Sequence, residues 1–165
     1  MASGAARPTE APARSRLAWI ALAVSGLVAL DQLTKHWAVS TLSDGPVHVI
    51  GDTVEFALSR NPGSAFGRFQ GMTTVLAVGA ILVSVLIVRE AYNANDRVKL
   101  IGYVLVLGGA LGNLSDRFFR DPGFLRGHVV DFVAVGRFPV FNFADSCITI
   151  GAILLVWRTL RTSSA

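Results

Sequence analysis

Apolar residues concentrate in four stretches of the chain, each close to the roughly 20 residues that a helix needs to cross a bilayer core. The stretches are Leu17–His36, Met72–Val88, Leu100–Ser115 and Asn142–Trp157. After the first stretch, residues 54–59 alternate between apolar and polar with a period of two and follow a Gly-Asp pair, which predicts a small β-hairpin on the membrane surface. The pattern therefore predicts an all-α membrane protein with four transmembrane helices and a small β element.

The first stretch has two interpretations. Its uncharged part, Leu17–Leu30, has only 14 residues and also fits the apolar region of a cleavable signal peptide, with a weak cleavage site at residues 38–40. Asp31, Gln32 and Lys35 continue at helical spacing, however, and three more spans follow, which favours a retained helix. Residues 1–15 are rich in Ala, Pro, Ser and Arg and are predicted to be a disordered cytoplasmic tail. Residues 16–165 then form one membrane domain.

Composition excludes an ordinary soluble domain. Of the residues, 52% are hydrophobic and 16% are charged, against about 25% charged in soluble proteins. The net charge of +4 comes from scattered Lys and Arg without a nucleic-acid-binding motif, so membrane lipid is the expected partner and nucleic acid is not. The single cysteine, Cys147, excludes an internal disulfide and a cysteine-rich metal site, and it is expected to pack as a small apolar residue.

Basic residues predict the orientation in the membrane. With both termini in the cytoplasm, eight basic residues face inward and seven face outward, but the inner segments are about half as long. The higher density of basic residues therefore favours cytoplasmic termini. The long connections near residues 37–71 and 116–141 then lie outside, and loops of this length without a domain of their own usually carry function.

Nine polar residues are predicted to gather near the outer ends of the spans. Ionisable side chains at membrane depth are costly and mark functional sites. Because these residues form one layer, they do not suggest a path for ions through the membrane. The residues are Asp31, Lys35, Asn61, Asn113, Asp116, Arg117, Asp131, Asn142 and Asp145.

Asp131 and Asp145 are the most informative of the nine, because they lie 14 residues apart within strongly apolar sequence. Two nearby carboxylates do not readily ionise together and tend to share one proton. One can then activate water while the other protonates a leaving group. The pair therefore suggests acid-base catalysis.

Several of these residues also have structural interpretations. Asp31 and Lys35 have the i, i+4 spacing of a helical salt bridge, and Asp116 and Arg117 are candidates for ion pairs with a neighbouring loop. Asn142 is placed to cap the fourth helix, with Asp145 three residues later as in a capping box.

A metal site is only weakly suggested. His128 precedes Asp131 by three residues, but catalytic zinc usually takes three protein ligands and the chain lacks an HExxH motif. We therefore do not predict a zinc site from these residues.

Five motifs resemble, in order and spacing, those of the lipoprotein signal peptidases, the signal peptidase II family. The resemblance covers nearly all of residues 16–160, and the one small departure is Ser64, where the family often has Ala. The motifs are Asp31-Gln32 with Lys35, Asn-Pro-Gly-Ser-Ala-Phe-Gly at 61–67, Gly-Gly-Ala-Leu-Gly-Asn-Leu-Ser-Asp-Arg at 108–117, Val-Val-Asp-Phe at 129–132 and Phe-Asn-Phe-Ala-Asp at 141–145.

The resemblance implies a four-helix aspartic protease of the bacterial inner membrane with a small extracytoplasmic β-cradle. The implied reaction removes the signal peptide from a diacylglyceryl-modified prolipoprotein just before the lipidated cysteine, near the extracytoplasmic face and without a cofactor. A monomer is expected. The resemblance implies that Asp131 and Asp145 are the catalytic pair. It assigns substrate contacts to four residues: Asn61, Asn113, Arg117 and Asn142. Three further residues are implied to support the site: Asp31, Lys35 and Asp116.

Two rival functions make different predictions. A small proton- or ion-coupled transporter needs carboxylates accessible from both sides of the membrane. A structural assembly factor uses the polar layer only to join helices. For the protease, Asp145 is expected to be the more readily ionised aspartate because it lies near a helix amino terminus. Trp37, Phe66 and Phe141 are candidates for contact with lipid or with the signal-peptide helix.

Overall fold

The computed structural model describes residues 11–51, 53–63 and 73–163. Its four helices and three strands are α1 (Ala11–Thr41), β1 (Val47–Ile50), β2 (Val54–Asn61), α2 (Thr73–Asn93), α3 (Arg97–Phe119), β3 (Val129–Val135) and α4 (Phe143–Ser163). In the described part of the chain, four helices are long and apolar enough to cross a membrane. The predicted fold class, a four-helix membrane protein with a small sheet, is confirmed.

Helix α1 continues well beyond the apolar stretch that predicted it. It has 31 residues and runs without a break from Ala11 to Thr41, so the last residues of the predicted tail, 11–15, are helical. Residues 1–10 lie outside the described ranges. The polar residues Asp31 and Lys35 of α1 contact α3, which favours the retained helix over a cleaved signal peptide.

The ends of α3 show how a membrane helix extends past its apolar core. Asp96 is the N-cap, and its side chain accepts a hydrogen bond from the backbone N–H of Lys99 at 2.9 Å. This cap satisfies one of the free N–H groups of the first turn. The helix therefore starts three residues before the predicted span, at Arg97.

Glycines bring α3 close to its neighbours. A Cβ atom at Gly108 would lie 2.6 Å from Cδ1 of Leu27 on α1, and one at Gly109 would lie 2.4 Å from the carbonyl oxygen of Ala144 on α4. Small residues allow such approaches between membrane helices. The run of small residues therefore makes α3 the central helix, in contact with α1, α2 and α4.

The three strands form an antiparallel sheet in the order β1, β2, β3. The predicted hairpin is confirmed as β1 and β2, in which Val47 pairs with Phe56. Strand β3 adds to β2 and places Asp131 opposite Ser59. The sheet packs on the last turns of α1 through the buried residues Ala38, Leu42, Val130 and Phe132.

The two ends of the helix bundle differ in character. The sheet and the buried carboxylates lie where α1 and α3 end and where α4 begins. At the other end, Arg158 pairs with Asp96 at 2.7 Å, and this hydrogen-bonded partner lowers the pKa of Asp96 to about 2. Arg16 donates hydrogen bonds there to the carbonyl oxygens of Ala91 and Ala94.

Candidate active site

The structure brings Asp131 and Asp145 to the wall of one cavity. Asp131 lies on β3, and Asp145 lies in the first turn of α4. The open cavity has a volume of about 890 Å³. Its other lining residues include Leu76 from α2 and Ile150 from α4, so apolar surface surrounds the two carboxylates.

Asp131 is a buried carboxylate held by two amides. Its side chain is 2% exposed. Nδ2 of Asn142 donates to its Oδ1 at 2.7 Å, and Nδ2 of Asn61 donates to its Oδ2 at 3.1 Å. Burial, with the neighbouring charge of Asp145 as the next cause, raises the pKa of Asp131 to about 6. The structure thus favours a protonated Asp131 at a higher pH than an ordinary aspartate.

Asp145 takes part in a complete capping box. Its Oδ2 accepts from the backbone N–H of Asn142 at 3.2 Å, while its own N–H donates to Oδ1 of Asn142 at 2.9 Å. The capping interpretation of this pair is therefore confirmed. The second oxygen of Asp145 accepts from Nδ2 of Asn113 at 2.8 Å, and the side chain still reaches the cavity. Capping and exposure to the cavity are compatible.

Asn113 and Asn142 connect the two carboxylates. Nδ2 of Asn142 contacts both Oδ1 of Asp131 and, at 3.1 Å, Oδ1 of Asn113. Oδ1 of Asn113 also accepts from Nζ of Lys35 at 2.9 Å. Because an ammonium group can only donate, Lys35 fixes the orientation of the Asn113 amide and directs its N–H₂ group to Asp145.

A buried ion cluster lies behind this amide pair. Nζ of Lys35 is 2.8 Å from Asp31 and 2.9 Å from Asp116. All three side chains are at most 1% exposed. The predicted Asp31–Lys35 salt bridge is confirmed, and the cluster is larger than the spacing suggested.

The two carboxylates of the cluster also position the strand and helix of the site. Oδ2 of Asp116 accepts from the N–H of Val130, one residue before Asp131, at 3.1 Å. Oδ1 of Asp31 accepts from the N–H of Ala144, one residue before Asp145, at 3.1 Å. The ion cluster therefore holds the backbone at both catalytic candidates.

Arg117 reaches the cavity from α3. Its Nη1 donates to the carbonyl oxygen of Gly127 at 3.1 Å and more weakly to that of Asn61 at 3.4 Å. The suggested ion pair with a neighbouring loop is found for Asp116, which lies 2.6 Å from Arg120, the C-cap residue that follows α3, and 2.9 Å from Lys35 of α1. Arg117 instead donates to backbone carbonyl oxygens.

The other candidates lie apart from the carboxylates. Across the described ranges, no three His, Cys, Asp or Glu side chains are grouped to hold a metal ion, and His128 does not line the cavity. Trp37 packs against Phe56 and Phe132, with ring centroids 5.4 and 6.0 Å away. Phe141 lines the cavity, whereas Phe66 lies outside the described residues.

Sequence reasoning missed several residues of the site. Ser146 and Thr149 line the cavity on the same face of α4 as Asp145, and the one-turn spacing from Asp145 is a signal that could have identified Thr149. Gln32 is not among the predicted site residues, yet its Nε2 donates to Oδ2 of Asp31 and to Oδ1 of Asp116 at 3.1 and 3.2 Å.

Four helices able to cross a membrane and two interacting carboxylates at one cavity are the features expected of a membrane protease of the aspartic type. Comparison with known families agrees, because the family model described as signal peptidase (SPase) II matches residues 23–161. The chain belongs to the signal peptidase II family. It is a bacterial multi-pass membrane protein that cleaves signal peptides from prolipoproteins, and the transporter alternative finds no support.

Individual relatives agree with the family assignment. The chain is 50% identical over 160 residues to the lipoprotein signal peptidase of Rhodococcus jostii, covering 96% of this chain and 80% of that one. The corresponding protein of Mycobacterium avium is 47% identical over 155 residues, covering 93% and 85%.

Two solved structures described as bacterial membrane enzymes have the same fold. The first is 30% identical, with a TM-score of 0.77 over 89% of this chain and 90% of that one. The second is also 30% identical, with a TM-score of 0.73 over 87% and 93%.

Proposed function

We propose that Asp131 and Asp145 are the catalytic pair of this signal peptidase. The observation that carries the proposal is their convergence: a strand and a helix bring two carboxylates to one cavity, where burial and the charge of Asp145 raise the pKa of Asp131. Each is oriented by amide donors, and within the described ranges neither forms a salt bridge with a cation. Such a pair can share one proton, so that one carboxylate is ionised and the other is protonated. Hydrolysis by acid-base catalysis requires this combination.

In the proposed reaction, Asp145 is ionised and Asp131 carries the proton. Asp145 accepts a proton from water while the water oxygen bonds to the scissile carbonyl carbon. The tetrahedral intermediate then collapses, the C–N bond breaks, and Asp131 gives its proton to the leaving nitrogen. The pair ends with one proton, now on Asp145, and proton exchange with water restores the starting state.

The proposed substrate is a prolipoprotein with a diacylglyceryl group on the cysteine that follows the scissile bond. The cavity suits such a substrate because it combines apolar walls with a few polar groups. Asn61 and Arg117 line the cavity and are proposed to bind the peptide backbone. Asn113 and Asn142 contact the carboxylates and are proposed to orient them. Asp31, Lys35 and Asp116 then act as supports.

We further propose that a monomer carries out this reaction near the extracytoplasmic face, with both termini in the cytoplasm. The density of basic residues in the short segments supports this orientation. The sheet and the cavity lie at the end of the bundle opposite to the start of α1, which agrees with a site at the outer face.

Cleavage of a synthetic diacylglyceryl-modified prolipoprotein by purified protein tests the proposal. We expect Asp131→Asn and Asp145→Asn each to lower kcat at least about 100-fold, since each removes a proton-transfer group, and chelator to have no effect. Asp44→Asn, at an exposed carboxylate in the turn after α1, is the matched control and should retain activity.

Three results would contradict the proposal. Chelator-sensitive cleavage would oppose the metal-free reaction. Folded Asp→Asn variants with parental activity would remove the pair from catalysis. If instead both variants failed to fold, as judged by gel filtration and thermal unfolding, the carboxylates would act as structural groups.

A further inference from the structure

A second cavity lies at the opposite end of the helix bundle from the carboxylates. It has a volume of about 710 Å³, runs between α1 and α3, and shares no residue with the active-site cavity. Among the described residues, Ser15 and Arg16 are its polar lining residues, and the rest are apolar, including Trp19, Ala23 and Leu27 from α1 and Leu100 from α3. We refer to it as the α1–α3 groove.

Arg16 places a positive charge at the mouth of this groove. Its Nη2 donates to the carbonyl oxygens of Ala91 and Ala94 at the end of α2. Its Nε is buried and has no hydrogen-bond acceptor in the part of the chain that the structure describes. The rest of the side chain is only partly buried, so the charge of the guanidinium group is available to an anionic partner at the groove.

The groove has the length of one membrane leaflet. Its α1 wall extends from Arg16 to Leu27, and 11 residues of helix span about 16 Å at about 1.5 Å per residue. This is close to half of a hydrocarbon core that is roughly 30 Å thick. At the deep end, Leu27 packs where Gly108 lets α1 and α3 approach. The groove therefore accommodates a chain that enters from the membrane surface.

The end of the groove near Arg16 has features of the lipid headgroup region. Trp19, one turn from Arg16, is 70% exposed, and tryptophan is enriched at the membrane interface. The helix ends and loop around the groove contain more basic than acidic residues, and the acidic residue Asp96 is already paired with Arg158. The basic residues are Arg89, Arg97, Lys99, Arg158 and Arg161, against Glu90 and Asp96.

We propose that the α1–α3 groove binds an anionic phospholipid. One acyl chain lies between α1 and α3, and the phosphate accepts a hydrogen bond from Arg16. The net positive charge around the mouth selects an anionic over a zwitterionic headgroup.

Native mass spectrometry of the full chain, purified in detergent with added phosphatidylglycerol or phosphatidylcholine, tests the headgroup contact. We expect preferential retention of phosphatidylglycerol and a loss of about fivefold in Arg16→Gln, the effect typical of one basic residue near anionic lipid. Arg161→Gln removes an equal charge from α4 at the same end of the bundle, outside the groove lining, and should reduce retention by less than Arg16→Gln does. Thermal unfolding with each lipid should show the same order.

A second pair of variants tests the groove itself. Ala23 is an exposed lining residue, so Ala23→Phe fills the groove without disturbing the core and should reduce phosphatidylglycerol retention. Ala21→Phe, at an exposed α1 position outside the groove, should not. Equal retention of the two lipids, equal losses in Arg16→Gln and Arg161→Gln, or unchanged retention in Ala23→Phe would each overturn the proposal.

Discussion

Asp131 binds its proton more tightly than an ordinary aspartate does, and its surroundings explain why. Burial and the charge of Asp145 raise its pKa to about 6, although two amides donate to it and oppose this shift. If Asp131 acts as the proton donor, its carboxyl group is protonated and able to donate below about pH 6. It loses this proton, and the protein loses activity, as the pH rises through that value.

We therefore expect kcat/KM to fall about tenfold per pH unit above about pH 6, because this parameter reports ionisations of the free enzyme. The measurement is a pH-rate profile with a modified prolipoprotein at substrate concentrations below KM. A kcat/KM that increases from pH 5 to pH 8 would instead make Asp131 the base and Asp145 the donor.

Asn142 combines two roles that substitution can separate. Its Oδ1 caps α4, and its Nδ2 donates to Asp131. Serine caps helices about as well as asparagine but has no amide donor. We expect Asn142→Ser to retain a near-parental Tm and to lose about 10- to 100-fold in kcat, because a buried oxygen of the proton donor loses its hydrogen-bond partner.

Asn142→Ala is the matched control for the cap. It loses both roles, so its Tm should also fall, by an amount that corresponds to about 1 kcal/mol for the missing cap. Thermal unfolding and single-turnover cleavage measured on the same preparations separate the two effects. Equal Tm values for the serine and alanine variants would show that the cap contributes little to stability.

At the scale of elements, the crossing of α3 and α4 determines where Asp145 lies. A Cβ atom at Gly109 would lie 2.4 Å from the carbonyl oxygen of Ala144 and 2.8 Å from Cγ1 of Ile148. Gly109→Ala therefore has to push α4 away from α3. We expect it to destabilise the protein by about 1–3 kcal/mol and to reduce kcat, because Asp145 moves with α4.

Gly79 on α2 is the control for this substitution. A Cβ atom there meets nothing within 4 Å, so Gly79→Ala should be neutral or stabilising by up to about 1 kcal/mol through helix propensity. The comparison uses thermal unfolding in one detergent and the cleavage assay. A Gly109→Ala variant as stable and active as Gly79→Ala would show that the crossing adapts without cost.

Local features of the sequence predicted most of the elements. The four spans follow from apolar runs, the β1–β2 hairpin from a period of two, and the α4 cap from Asn142 and Asp145 being three residues apart. Each of these signals lies within one segment. The apolar runs did not predict the full length of α1 or the first residues of α3. Both helices continue beyond their apolar cores through polar residues, whose hydrogen-bonding groups are satisfied by caps and tertiary contacts.

Contacts between distant segments were less predictable. Pairing of β3 with β2 joins residues about 70 positions apart, and the orientation of Asn113 depends on Lys35 of another helix. Neither leaves a periodic signal in the sequence. The motifs that identify the family indicate which residues belong together, but the roles of Asn113 and Asn142 in holding the carboxylates needed the coordinates.

At the scale of the whole molecule, the two ends of the bundle allow a direct test of orientation. Cys147 is the single cysteine and is 4% exposed, so added cysteines should dominate labelling by a membrane-impermeant maleimide. Asp44 lies in an exposed turn at the sheet end, and Asn95 is exposed between α2 and α3. In right-side-out membrane vesicles, we expect Asp44→Cys to be labelled and Asn95→Cys to be protected.

Inverted vesicles provide the control, since the labelling pattern should reverse in them. Parental protein should stay unlabelled in both preparations. Labelling of Asn95→Cys in right-side-out vesicles would place the termini outside the cytoplasm and the carboxylates near its inner face. That result would contradict the proposed topology while leaving the family assignment unchanged.

The position of Lys35 has a consequence for how the protein is made in the cell. Lys35 belongs to the first helix to emerge from the ribosome, and it sets the orientation of the Asn113 amide that contacts Asp145 on the last helix. A nascent chain with fewer than four inserted helices cannot align this carboxylate. Under the proposed catalytic role of Asp145, proteolytic activity therefore requires the finished chain.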